Sequence, residues 1–134
     1  ISFIKQNSVR ISGISDIDLG TRASLTRSEQ YTEDVCVYTS TGAYVVTATS
    51  LNGAFELRNE DGSDAIVYRL QWVVDGAQDL LPSVALRGLR GDVSNIDCNG
   101  SLNASIRIIV SASSFNRADP GVYTDTLMLL VRAE

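Results

Sequence analysis

The sequence predicts an all-β protein, a two-layer β-sandwich of immunoglobulin-like arrangement, and three observations carry that expectation. Apolar residues recur at every second position in segment after segment, the period of a strand with one buried face. Clusters of glycine, asparagine, aspartate and serine separate those segments at intervals suited to turns. No segment shows the 3.6-residue period of an amphipathic helix, so roughly seven or eight short strands and no helix are expected.

At the start of the chain Ile1, Phe3, Val9 and Ile11 share parity, with Lys5 and Asn7 between them. Residues 1–11 are therefore either a first strand of the domain or an extension that pairs elsewhere. Ile14, Ile17 and Leu19 follow, up to Gly20. In residues 33–38, Val35 and Val37 share one face while Cys36 and Tyr38 take the other. Residues 43–49 are rich in β-branched side chains and follow a Thr-Gly turn. Phe55 and Leu57 pair up before the hairpin-like loop NEDGSD at 59–64. Residues 65–74 alternate most cleanly, with Ile66, Tyr68, Leu70, Trp72 and Val74 on one side. Trp72 reads as core rather than as a ligand platform. Between residues 75 and 100 the signal weakens to short apolar pairs among glycines, which indicates short strands and long loops.

The last quarter holds two more strands around a Pro-Gly turn. Leu102, Ala104, Ile106, Ile108 and Val110 line one face of the first. In the second, Tyr123, Leu127, Leu129 and Val131 share a face, yet Met128 and Leu130 opposite them are apolar too. A closing strand that is greasy on both sides needs neighbours on both, and Met128 and Leu130 are expected to face another layer.

A length of 134 residues suits one domain with a real core, 1–134 throughout. Hydrophobic residues at 44% and charged residues at 20% mark it as globular. The net charge of −5 and the absence of any basic run argue against nucleic-acid binding. No run approaches the roughly 20 apolar residues of a membrane helix, so no membrane insertion is expected. The chain starts at Ile1 without Met, which suits removal of a signal peptide or trimming. Cys36 and Cys98 would be free thiols in the cytosol or a single bridge in a secreted domain. Such a bridge would close a loop of about 60 residues, worth roughly 4 kcal/mol.

The chain contains no histidine, which removes Ser-His-Asp and Cys-His catalysis and His-based zinc sites. Its glycines form no phosphate-binding pattern. Asp16 and Asp18 read as solvated strand residues, and NEDGSD lacks the downstream acidic ligand of a calcium loop. Asp125 reads as an edge or solvent residue. The triplets Asn99-Gly-Ser and Asn103-Ala-Ser match a glycosylation sequon that matters only in a eukaryotic secretory pathway. No catalytic, cofactor or metal site is therefore expected, and the protein is read as a non-enzyme.

The segment PGVYTDTLMLLV at 120–131 resembles the closing motif of the spore coat protein U family, which includes subunits of archaic chaperone–usher pili of Gram-negative bacteria. The turn reads Pro120, Gly121, Val122, Tyr123, Thr124, Asp125 and Thr126. Weaker likeness extends to IDLGT at 17–21, VCVYTSTGAYVVTAT at 35–49 and residues 59–72. The chain differs from the family in having its first cysteine at 36 and no aromatic residue at its end. The resemblance implies an immunoglobulin-like sandwich missing its last strand. It implies a groove beside the closing strand, with Leu127, Leu129 and Val131 as its lining. A periplasmic chaperone would fill that groove first, and the N-terminal extension of another pilus subunit would replace it. Ile1, Phe3, Val9 and Ile11 are then candidate donor residues. The implied setting, periplasm and then a cell-surface fimbria, also implies a Cys36–Cys98 disulfide.

Two other functions compete with a fibre subunit. One is a pilus-tip adhesin or carbohydrate-binding sandwich that recognises its ligand through loops 59–64 or 75–100. The other is a secreted hydrolase using paired carboxylates, although no pair stands out.

Overall fold

The computed structural model describes residues 9–12, 17 and 19–134. Nine strands lie within them: β1 (Val9–Ser12), β2 (Glu29–Thr39), β3 (Ala43–Ser50), β4 (Glu56–Arg58), β5 (Ala65–Val73), β6 (Ala77–Leu80), β7 (Leu86–Arg90), β8 (Ala104–Val110) and β9 (Leu127–Ala133). They form two antiparallel sheets. One has the order β1-β2-β8-β5-β4, with β6 also paired to β5, and the other has the order β7-β3-β9. The all-β class expected from the alternation is the one observed.

The strands read as predicted where alternation is cleanest. In β5, Ile66, Tyr68, Leu70 and Trp72 are buried while Val67 and Arg69 point out. In β8, Ala104, Ile106, Ile108 and Val110 fill the same layer. Leu102 falls just before that strand and is 49% exposed, so the sequence-based strand began too early. The facing sheet contributes Tyr44, Val46 and Ala48 from β3 and Leu89 from β7. The Trp72 indole N–H donates to the Tyr44 hydroxyl at 2.9 Å, and the two rings meet edge to face at 6.1 Å. That hydrogen bond satisfies two polar atoms whose burial would otherwise destabilise the core. Gly91 sits where no Cβ fits, because one built there would lie 2.7 Å from Thr39 Cγ2 and 3.0 Å from the Val37 carbonyl oxygen.

The expectation of no helix is corrected. A helix, α1, spans Ala112–Arg117 directly after β8. Ser111 caps it, its side chain accepting from the Ser114 N–H, and the Ser114 hydroxyl accepts from the Val67 N–H at 2.8 Å. Asn116 binds both the N–H and the C=O of Leu25, each at 2.8 Å, and so fixes the loop that precedes β2. Six residues are too few to display a helical period, which is why alternation could not reveal α1.

Cys36 and Cys98 form a disulfide that ties β2 to a tight turn at Cys98–Gly100. Val9 and Ile11 belong to β1, which pairs with β2 in the register Val9↔Thr39 to Ser12↔Cys36. The first-strand reading thus describes these two residues, while Ile1 and Phe3 lie outside the described residues. With β1, β2, β8 and β5 as strands A, B, E and D, and β3 and β9 as C and F, the order is that of an immunoglobulin-like sandwich. In that arrangement a further strand, G, would lie beside β9.

Candidate functional site

Strand β9 pairs with β3 along its whole length, from Ser50↔Leu127 to Tyr44↔Ala133. Among the described residues no strand is hydrogen-bonded to its other edge, although β1 approaches it. The pleat sends Leu127, Leu129 and Val131 inward, half-buried against the core, and Met128 and Leu130 outward. Met128 is 68% and Leu130 60% exposed. The expectation that these two face another layer is therefore corrected: among the described residues nothing covers that side of the sheet.

Between the open edge of β9 and the facing sheet lies a groove of about 320 Å3. Its apolar wall is Leu57, Ile106, Ile108, Leu127 and Leu129, with Leu19 alongside and Ile17, 38% exposed, at the rim. The groove takes in two of the three residues proposed from sequence. Val131 faces the same way and packs on the core without lining the groove. The sequence reading missed Leu57, Ile106 and Ile108, because only the packing of one sheet over the other brings them beside β9.

The groove also has a polar end, formed by Tyr68, Asp125 and Thr126, and Glu33 lines it beside Ile106, its partner in the β2–β8 register. Asp125 shares parity with Leu127 and Leu129, a signal visible in the sequence, and it is half-buried rather than a solvent residue. The Ser50 hydroxyl donates to its carboxylate at 2.6 Å and the Tyr68 hydroxyl at 2.5 Å. The Thr126 and Asn52 N–H groups donate to its other oxygen at 2.8 and 3.4 Å. These are four neutral donors, and no ion pair to Asp125 occurs among the described residues. Burial pushes the Tyr68 hydroxyl far above its ordinary range, and the neighbouring Asp125 charge pushes it further, so Tyr68 stays protonated and remains a donor.

The Pro-Gly turn acquires a physical account from these contacts. The Tyr123 hydroxyl donates to the Asp119 carbonyl at 2.6 Å and lies 3.0 Å from the Asp64 carboxylate. The Asp119, Ala65 and Tyr123 donors hold the Asp64 carboxyl below the usual carboxylate range. Thr124 and Arg58 exchange backbone hydrogen bonds at 2.9 Å in each direction. The Asn52 amide donates to the Thr124 carbonyl at 3.0 Å. Tyr123 and Asp125 thus anchor the two halves of the turn, and β9 leaves it with its inward parity already set.

Other sequence candidates are occupied by local bonding. In NEDGSD, Ser63 donates to Asp61 and the Asp64 N–H to the Asn59 side chain, closing the loop on itself. Among the described residues no three His, Cys, Asp or Glu side chains gather as a metal would require. Asp16 and Asp18 lie outside the described residues. Both amide atoms of Asn103 bind the Val37 backbone, at 2.9 and 3.0 Å, so this asparagine is a structural side chain. A second cleft of about 300 Å3 opens on the edge of β5 between β4 and β6, over Phe55, Leu70 and Leu80.

No protein-family profile matches the chain, and no curated protein matches it. Among solved structures it is similar to a family 123 glycoside hydrolase from Clostridium perfringens, at 17% identity and a TM-score of 0.45. The match covers 78% of this chain and 18% of that one, so the chain spans about a fifth of the hydrolase.

Proposed function

We propose that this domain is a structural subunit of a bacterial surface fibre, of the spore coat protein U type, that assembles by donor-strand exchange. The observation that carries the reading is the edge of β9, unpaired among the described residues and set above an apolar groove where strand G of the sandwich would lie. An added strand would gain main-chain hydrogen bonds from β9 and bury alternate side chains against Leu127, Leu129, Ile106 and Ile108. Each large apolar side chain so buried contributes about 1.5–3 kcal/mol. Before assembly the same edge is an aggregation hazard, which is the physical reason for a periplasmic chaperone as first partner. The Cys36–Cys98 disulfide fits that oxidising route to the cell surface. In this reading the protein carries out no catalysis and needs no cofactor.

Deleting residues 1–8, which leaves β1 in place, tests the shaft role. The truncated chain is expected to fold and to accept a donor strand but to form no chains of subunits, as read by size-exclusion chromatography and electron microscopy. Continued polymerisation would overturn residues 1–8 as the donor strand, and full-length chains that accept a donor strand but form no chains of subunits would favour a pilus-tip adhesin or carbohydrate-binding module.

A further inference from the structure

We infer that Asn99 is a self-modification site: in the folded protein its side chain closes onto the Gly100 nitrogen and is converted to aspartate and isoaspartate. The fold keeps Asn52, the other asparagine followed by glycine, from doing the same. Asparagine is thermolabile, and a following glycine favours this cyclisation because it has no Cβ to crowd the approach of its own nitrogen. The chain has two such pairs, Asn52-Gly53 and Asn99-Gly100. Local sequence treats them alike, and the structure separates them. Asn52 is clamped: both hydrogens of its side-chain amide are used, on the Glu56 carbonyl at 2.8 Å and the Thr124 carbonyl at 3.0 Å. Turning that amide towards Gly53 would break both bonds. Asn99 is exposed, and among the described residues no hydrogen bond reaches its side chain; only its backbone N–H is held, by the Asp97 carboxylate at 3.0 Å. The glycine nitrogens show no such contrast, since Gly53 donates to the Ser50 carbonyl at 3.0 Å and Gly100 to the Asp97 carbonyl at 3.2 Å.

The backbone around Asn99 is also strained. Cys98, Asn99 and Gly100 all have positive φ, at 57°, 52° and 81°. A left-handed run that includes non-glycine residues opens more readily than a relaxed turn. The disulfide holds Cys98 in place, so the opening is confined to the residues that must react. The step needs no co-reactant but water. The Gly100 nitrogen bonds to the Asn99 Cγ, its proton passes through water to the departing Nδ2, and ammonia leaves a cyclic succinimide. Water then opens the ring. Attack at Cγ gives aspartate, and attack at the main-chain carbonyl gives isoaspartate, whose main chain runs through Cβ and Cγ. No atom is oxidised or reduced. Either product adds one negative charge to a chain of net charge −5. Isoaspartate also lengthens, by one carbon, the main chain of the loop that the disulfide pins to β2.

The test incubates the folded, disulfide-bonded full-length chain in mildly alkaline buffer for days and maps both asparagines by peptide mass spectrometry. Conversion at Asn99 is expected to run roughly tenfold or more ahead of Asn52, which must first open locally. A parallel sample, reduced and unfolded in guanidinium chloride, is expected to convert the two at similar rates. Equal rates in the folded chain, or Asn99 left intact there while the unfolded chain converts, would overturn the inference. A gap that persists on unfolding would place the selectivity in the sequence rather than the fold, and would overturn it as well. On isoelectric focusing the aged chain should gain an acidic species that Asn99→Gln does not form. The same species in Asn99→Gln would overturn Asn99 as its source.

Discussion

Asp125, Tyr68 and Tyr44 show how single polar groups shape the interior of this sandwich. Tyr68 reaches Asp125 across the groove end, and Tyr44 accepts from Trp72 at the centre of the core. Burial pushes the Tyr44 hydroxyl up to about 12, with Trp72 opposing the shift, and it drives Tyr68 upward as well. A folded-state value raised above the unfolded one, about 10 for tyrosine, means stability that is fully present below pH 10. That stability is lost as pH climbs from about 10 towards 12, because the unfolded chain releases these protons first. Urea midpoints should therefore be flat from about pH 7 to 9 and fall steeply above 10. A Tyr68→Phe variant should show a shallower alkaline fall, and an unchanged slope would show that the ionisation of Tyr68 is not linked to folding.

At the scale of elements, β9 departs from the pattern of its neighbours. Strands β5 and β8 alternate between buried and exposed side chains because one face of each meets the other sheet. Strand β9 alternates only between half-buried and exposed, even though both of its faces are apolar. The consequence is an asymmetry between adjacent leucines. Leu129→Lys places an ammonium in the groove and should abolish strand uptake, with a stability loss in the isolated chain of about 1–2 kcal/mol. Leu130→Lys, on the outer face, should leave uptake intact and change stability by less than about 0.5 kcal/mol. Binding of a donor-strand peptide, followed by native gel or calorimetry, distinguishes the two, and equal loss in both variants would place the docking site elsewhere. Helix α1 departs from the pattern in another way. Its six residues are set by the Ser111 cap and by Asn116 reaching Leu25, contacts that no periodicity can forecast.

Across the whole molecule, the disulfide spans the longest covalent loop, joining residues separated by 62 positions. Reduction should lower stability by about 4 kcal/mol on the chain-entropy account, measured as a shift in the urea midpoint with and without reductant. A negligible shift would mean that hydrogen bonds such as those of Asn103 to Val37 already hold the Cys98–Gly100 turn against β2. The two-sheet architecture gives this bond its position: it joins β2, in the larger sheet, to the loop that returns from β7 to β8.

The sequence by itself determined the class of fold and most strand faces, because a period of two is a local property that any half-buried strand must display. It also displayed the parity of Asp125 with Leu127 and Leu129. Only the tertiary structure decided that Asp125 is half-buried, that Ile106, Ile108 and Leu57 complete the groove, and that Met128 and Leu130 are left bare. Those outcomes depend on which strands become neighbours across the sandwich, and that choice is made by long-range packing rather than by the residues adjacent in the chain.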